Sequence, residues 1–214
     1  MPLPAITVDT NCINARSSLS AMNHLERLHS EARITLVKTD VMDTELSTWD
    51  GGRGSRARQK AAQLQEDIGV LVLGHSRLDH ARLTEDGDAA MLDRVAVALF
   101  RHPLKELHRR QVRDVMVVST HLKHGRDVLV TKDRDLLDSA VALAEQFGVI
   151  VLTPGECLAL VGGRLSTSPR AKAATPGASP APRRAVTSER PSSSGSRPPL
   201  STDDLNGLTD NAIR

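Results

Sequence analysis

The sequence predicts an α/β fold with a mainly parallel central sheet. First, short runs of β-branched residues alternate with amphipathic stretches, which is typical of strands joined by helices. Second, the runs are continuously apolar, as expected where helices cover both faces of a parallel sheet. We predict five strands, at residues 5–9, 34–38, 69–73, 127–131 and 149–153.

Between the strands, three segments have helical periodicity: residues 41–49, 104–122 and 135–147. In the last, one face is predicted to carry Leu137, Ala140, Val141, Ala144 and Phe147. The run 69–73 is the least regular strand and also suits an extended insertion.

The stretch GGRGSRARQK, residues 51–60, indicates a flexible basic loop entering a helix. It follows a helix rather than a strand and lacks the Gly-Lys-Ser/Thr ending, which excludes a nucleotide P-loop.

Composition divides the chain of 214 residues into two parts. Residues 1–163 carry the periodic pattern and are predicted to form one domain. Residues 164–214 contain seven of the eleven prolines and few large apolar side chains. Such a segment cannot bury enough apolar surface to offset its ordering entropy, so we predict a disordered Pro/Ser/Arg-rich tail.

Charge is unevenly distributed along the chain. Up to Gly163 there are 20 Lys and Arg residues against 22 Asp and Glu residues; beyond it there are 8 against 4, so only the tail is basic.

The cysteine content fits a cytoplasmic protein. Two cysteines do not make a disulfide framework. Neither a signal peptide nor a membrane-spanning segment is evident, so no membrane partner is expected.

Two acids come at the ends of predicted strands. Asp9 ends the first strand, and Asp133 follows Thr131 at the end of the fourth. Each acid is either a helix cap or one wall of a site, because ligands bind outside the carboxyl ends of parallel strands. Taken alone, Asp133 or the nearby Asp135 is better explained as a cap.

Two further acids lie on helix faces that should be apolar. Glu45 is four residues from both Val41 and Trp49, and Asp114 is four residues from Val118. A buried carboxylate needs a cation or a hydrogen-bond partner. For either acid, the structural alternative to a site is an ion pair with one of the many arginines, for instance Arg110 at i−4 from Asp114.

A single explanation covers all four acids if they converge on a divalent metal. Carboxylates without Cys or His partners form a hard-oxygen site suited to Mg²⁺ or Mn²⁺. One or two ions would fit such chemistry, which activates water against a phosphodiester.

The motifs together resemble the PIN domain family. The resemblance rests on Asp9-Thr10-Asn11 after the first strand, the isolated helical Glu45, and Asp114 followed nineteen residues later by Asp133. It covers roughly residues 5–161 and implies the family's α/β/α sandwich. It also implies a metal-dependent nuclease, a class that includes the toxins of VapBC-type toxin–antitoxin pairs.

The resemblance implies roles for particular residues. Asp9, Glu45, Asp114 and Asp133 match the family's four acidic metal-site positions and would be catalytic. We expect four further residues to orient phosphate or substrate: Thr10, Asn11, Thr131 and Asp135. The expected reaction is endoribonucleolytic cleavage of RNA.

Some features depart from the smallest toxin-like members. The separation between Glu45 and Asp114 is long, Leu136 stands where an aromatic residue is often found, and the tail is additional. Three readings therefore stay open beside a toxin with an antitoxin: a general endoribonuclease, a DNA-directed structure-specific nuclease, and a catalytically weak RNA- or protein-binding module. Another protein partner or a homodimer is compatible with each. A haloacid-dehalogenase phosphatase would need a second Asp at Asn11 and is disfavoured.

Basic residues offer a path for RNA, with solvated helix faces as the equal alternative. The histidines His121 and His124 lack further ligands at zinc-site spacing, so packing or surface roles are favoured. Cys12 and Cys157 are predicted to be small buried residues. The basic residues in question are Arg53, Arg56, Arg58, Lys60, Arg109, Arg110 and Arg113.

Overall fold

A sheet of five parallel strands forms the centre of the protein, in the order β3-β2-β1-β4-β5. The computed structural model describes residues 3–13, 17–76, 82–83, 85 and 87–166. The predicted α/β class is confirmed. The strands are β1 (Ala5–Val8), β2 (Thr35–Thr39), β3 (Gln65–Asp67), β4 (Val128–Val130) and β5 (Val151–Leu152).

Strand β1 lies in the middle and pairs on both sides. Ile6 is in register with Leu36 of β2 and with Val128 of β4. Both pairings are parallel, so β1 and β4 end at the same edge of the sheet. Asp9 and Thr131 follow these two strands and are thereby brought together.

Helices flank the sheet, and there is a hydrophobic core on each of its faces. Within β4, Val128 and Val130 belong to one core and Leu129 to the other, which explains the continuously apolar run. The helices are α1 (Ser20–Ser30), α2 (Asp40–Ser47), α3 (Gly51–Ala61), α4 (Asp88–Phe100), α5 (Arg109–Lys123), α6 (Arg134–Asp138), α7 (Ala140–Phe147) and α8 (Pro154–Ser166), with 3₁₀ helices at Thr10–Cys12 and Leu104–Glu106.

The predicted third strand was wrong. The strand is the polar Gln65–Asp67, whereas the apolar run 69–73 contributes only one isolated bridge, between Val70 and Arg82. In this edge strand Gln65 is exposed, Glu66 is half-buried, and the buried Asp67 is paired with Arg126, so the strand does not require an apolar run. Hydrophobic periodicity therefore favours the neighbouring apolar segment.

The expected flexible loop at residues 51–60 was also wrong, because Gly51–Ala61 is the helix α3. Its small buried residues, Gly54, Ala57 and Ala61, allow close packing despite three glycines. The burial of this face outweighs the low helix propensity of glycine.

Two predicted helices differ in their limits. The segment 104–122 begins with a 3₁₀ turn, and α5 starts at Arg109, where His108 and Gln111 form a capping box. The segment 135–147 is broken at Ser139 into α6 and α7. The break changes the buried face: Leu143 is buried and Val141 is 70% exposed, contrary to the prediction.

The predicted tail at 164–214 falls almost wholly outside the described residues. Helix α8 continues past Gly163 to Ser166. The chain divides into two units, Met1–Lys172 and Ala173–Arg214, and the second lies outside the described part. Within the described ranges, no helix is long and apolar enough to cross a membrane.

Gly54 provides a test of the packing of α3. A Cβ added at Gly54 would lie 2.1 Å from the carbonyl oxygen of Trp49, whereas one added at Gly52 would meet nothing within 4 Å. We expect Gly54→Ala to lower the free energy of unfolding by about 2 kcal/mol through overpacking. The matched Gly52→Ala should raise it by up to about 1 kcal/mol. Denaturant unfolding measures both, and equal stability of the two variants would contradict the packing.

Candidate active site

Asp9 lies at the edge of the sheet where β1 ends. Its backbone N–H donates to the carbonyl oxygen of Val130, 2.9 Å away, which extends the ladder between β1 and β4. Its carboxylate accepts a hydrogen bond of 2.6 Å from the Thr131 hydroxyl rather than capping the 3₁₀ turn at Thr10–Cys12. Asp9 therefore does not have the capping role considered as an alternative.

Thr131 organises the strand ends and is fully buried. Its hydroxyl oxygen donates to Asp9 and accepts from the backbone N–H of Asp133, at 2.8 Å. Asn11 adds a second link, because its side-chain oxygen accepts from the Lys132 N–H at 2.9 Å and its amide contacts Thr131 at 3.4 Å. These bonds position the two acids relative to each other.

Asp133 has two roles in the structure. One carboxylate oxygen accepts from the backbone N–H of Asp135 at 2.9 Å and caps α6. The other lies 2.5 Å from the guanidinium of Arg110. Asp133 therefore has the capping role considered as an alternative, and its second oxygen forms an ion pair with Arg110 at the pocket.

Glu45 and Asp114 reach the same region from α2 and α5. Glu45 is 3.8 Å from the guanidinium of Arg113. Asp114 has a buried oxygen, Oδ2, without a hydrogen-bond partner among the described residues. Arg110 is bonded to Asp133, so the i−4 ion pair considered for Asp114 is not the contact that forms.

A pocket of about 200 Å³ brings the four acids together. It is lined by residues from the ends of β1 and β4 and from α2 and α5, so its walls are separate in sequence. The lining residues are Asp9, Thr10, Asn11, Glu45, Thr48, Trp49, Arg110, Arg113, Asp114 and Asp133.

Two of the four carboxyl groups have raised pKa values, mainly because they are withdrawn from water. Burial raises the pKa of Asp114 to about 8, and the charges of Asp133, Asp9 and Glu45 add to the increase. Burial likewise raises the pKa of Asp9 to about 6, against the opposing hydrogen bond from Thr131. A nearby cation would relieve both penalties.

The donor set fits a hard divalent cation by its chemistry. All four groups are carboxylates, and the unpartnered Oδ2 of Asp114 is the kind of buried oxygen that a cation would satisfy. Within the described residues, however, no three His, Cys, Asp or Glu side chains are arranged closely enough to hold an ion. Arg110 and Arg113 instead neutralise Asp133 and Glu45.

The supporting residues are divided between the pocket and its surroundings. Thr10 and Asn11 line it, whereas Thr131 lies behind Asp9 and the exposed Asp135 contributes a backbone N–H to Asp133. Sequence reasoning missed Thr48 and Trp49 as wall residues. Their spacing from Glu45, three and four positions along one helical face, was the available signal.

The predicted basic path is only partly free for a ligand. Arg110 and Arg113 line the pocket, but Arg58 donates to the carbonyl oxygens of Leu46 and Trp49. Lys60 bonds to Glu26. Arg56 donates to the carbonyl oxygen of Gly52. Three of the seven basic residues, Arg56, Arg58 and Lys60, therefore form hydrogen bonds or ion pairs away from the acids of the pocket.

The predicted packing roles of other polar residues are confirmed in part. His121 is buried and contacts the Thr7 hydroxyl at 2.9 Å, while His124 is 3.5 Å from Asp67. Cys12 and Cys157 are buried and are not joined in a disulfide.

Comparisons with known proteins show no match of the chain to a protein-family profile and no significant match to a curated protein.

Replacement of Asp114 tests the cost of ionising a carboxyl group that is withdrawn from water beside three other acids. Its pKa rises from an ordinary 3.8 to about 8 on folding, so the folded state binds the proton more tightly than the unfolded chain. The stabilisation contributed by the protonated Asp114 is therefore fully present below about pH 4 and is lost as the pH rises through about 8. Without metal, Asp114→Asn should therefore be more stable than the wild type at pH 8, by about 2 kcal/mol after allowance for solvent screening.

The measurement is urea unfolding in EDTA at pH 4 and pH 8. The stability difference between Asp114→Asn and the wild type should shrink toward pH 4. Asp138→Asn, an exposed position on α6, is the control and should show little difference at either pH. A destabilised Asp114→Asn at pH 8 would contradict the buried charge cluster.

Proposed function

We propose that this chain is a Mg²⁺- or Mn²⁺-dependent endoribonuclease of the PIN type. The observation that carries the proposal is the convergence of Asp9, Glu45, Asp114 and Asp133 on one pocket. The parallel sheet with helices on both faces agrees with the fold that the resemblance implies. Four acids from four separate elements, with one buried oxygen unpartnered, are difficult to explain by stability alone.

Each acid has a distinct part in this proposal. Asp9 and Asp114, whose pKa values are raised by burial, would be the central metal ligands because binding a cation offsets their cost of ionisation. Asp133 and Glu45 would complete the site directly or through water. When bound, a divalent cation supplies charge stabilisation to the phosphodiester and makes attack by water feasible at neutral pH.

Arg110 and Arg113 neutralise part of the negative charge of the pocket when no metal ion is bound. Arg110 is 69% exposed along its side chain, whereas the side chain of Asp133 is only 9% exposed and needs a cationic partner. A divalent cation would supply that partner in place of Arg110. Arg110 would then be free to bind a phosphate of the substrate. Thr10 and Asn11, which also line the pocket, would orient the scissile phosphate.

The direct test is cleavage of single-stranded RNA by the purified protein. We expect cleavage with Mn²⁺ or Mg²⁺, loss of cleavage with excess EDTA, and recovery when the metal is added back. Retention of full activity in EDTA after dialysis would overturn the metal-dependent mechanism.

A binding module remains the second candidate, and one observation favours it. Arg110 and Arg113 contact two of the four acids, and the described acids are not close enough to chelate an ion as they stand. RNA binding without turnover at any metal concentration would support this alternative. Competition between single-stranded RNA and flapped DNA would separate an endoribonuclease from a structure-specific DNA nuclease.

A further inference from the structure

Trp49 is the aromatic residue of the acidic pocket. It is half-buried, lines the pocket beside Glu45 and Thr48, and packs its apolar part against the core. It is also the single tryptophan of a chain that has no tyrosine. Because its ring is amphipathic and lies beside polar groups, Trp49 can contact a ligand in addition to packing against the core.

The backbone of Trp49 is fixed in place. Its carbonyl oxygen accepts a hydrogen bond of 3.2 Å from Arg58, which also donates to Leu46. Its N–H donates to the Leu46 carbonyl, and Gly54 of α3 approaches too closely to admit a Cβ. The ring therefore projects from a rigid corner between α2 and α3, as a preorganised binding surface requires.

A planar cation already lies against the ring. The guanidinium of Arg53 is 4.9 Å from the centroid of the Trp49 ring, and Arg53 is exposed. Arginine over tryptophan makes a stacking contact of the kind that a nucleobase also makes. The exposed Arg53 can leave the ring at small cost and retain its attraction for phosphate.

We propose that Trp49 stacks an unpaired base of single-stranded RNA, with Arg53 contacting the phosphate of that nucleotide. The stacked base would lie beside the acidic pocket, so the neighbouring phosphodiester is presented to Asp9, Glu45, Asp114 and Asp133. This inference rests on the proposed nuclease function and assigns its substrate form: a strand with a base free to unstack. Duplex RNA keeps its bases paired and would be a poor substrate.

Intrinsic fluorescence tests the stacking directly, since all tryptophan emission comes from Trp49. The probe is an eight-nucleotide oligouridine added to the Asp9→Asn protein with Mg²⁺, so that turnover does not interfere. We expect saturable quenching of the emission, and its loss when an abasic nucleotide occupies one particular position. Binding of the oligonucleotide with unchanged emission would overturn the proposal.

Substitution supplies the second arm. Trp49→Leu should weaken oligonucleotide binding about tenfold, measured by anisotropy of a labelled strand, and Trp49→Phe should weaken it less. Phe147→Leu is the matched control, because the guanidinium of Arg94 lies 5.3 Å from the Phe147 ring, outside the pocket. Equal binding by wild type, Trp49→Leu and Phe147→Leu would reject the stacking role.

The two proposals fail in different ways. Quenching of Trp49 by the oligonucleotide without cleavage at any metal concentration would retain the stacking site and reject the nuclease. Metal-dependent cleavage by Trp49→Leu with wild-type KM would retain the nuclease and reject the stacking site. In the expected case, Trp49→Leu raises KM for single-stranded RNA about tenfold and changes kcat much less.

Discussion

Asp9→Asn and Asp114→Asn should each lower the rate of metal-dependent RNA cleavage by about 10³-fold, equivalent to ~4 kcal/mol of transition-state stabilisation. Asparagine keeps the shape of the side chain and removes the charge that holds a cation. Both positions line the pocket, and burial raises the pKa of both carboxyl groups. The measurement is single-turnover cleavage of a labelled single-stranded RNA at saturating Mn²⁺.

Stability separates loss of chemistry from loss of folding in this experiment. Asp114→Asn is expected to be more stable than the wild type without metal, so an inactive and more stable variant would assign its defect to the site. Asp138→Asn changes the same residue type on an exposed position of α6 and should cleave at the wild-type rate. Wild-type cleavage by Asp9→Asn would rule out the proposed mechanism.

Metal affinity should rise about 100-fold between pH 6 and pH 9. A carboxyl group must lose its proton to bind a cation, and Asp114 does so only as the pH passes about 8. Asp9, with a pKa of about 6, contributes a further small part of the increase. Binding at pH 7 should consequently release a proton, mainly from Asp114.

Calorimetric titration with Mg²⁺ measures both effects when it is repeated in buffers of different ionisation enthalpy. In Asp114→Asn, affinity should be weak and nearly independent of pH above 7, because the titrating group is gone. An affinity for Mg²⁺ that is equal at pH 6 and pH 9 in the wild type would contradict the assignment of Asp114 as a ligand that binds after losing its proton.

The sequence predicted four of the five strands, and the reason is visible in β4. Its residues Val128, Leu129 and Val130 alternate between two cores, so every position must be apolar. The edge strand Gln65–Asp67 escaped prediction because its residues are polar: Gln65 is exposed, and the buried Asp67 is paired with Arg126. The break at Ser139 escaped it because the sequence on both sides is compatible with one continuous helix.

The sequence predicted which acids belong to the candidate site, but not which basic residues contact them. Asp9 and Asp133 were recognisable because each follows a buried strand, and parallel strands end at one edge. The partners of Arg110 and Arg113 were not predictable. Both arginines lie on α5 with Asp114, yet they contact Asp133 and Glu45, which belong to other elements.

The sequence by itself determined the fold class, the central strands and the four acids of the pocket, because hydrophobic periodicity and residue type act locally. Only the tertiary structure decided that Asp114 is half-buried with one buried, unpartnered oxygen and that Trp49 forms a wall of the same pocket. Burial and charge crowding depend on residues distant in the chain, so the raised pKa of Asp114 has no signature in its own neighbourhood. Helix α5 supplies the acid, and the packing of α2 and of the sheet edge against it supplies the environment.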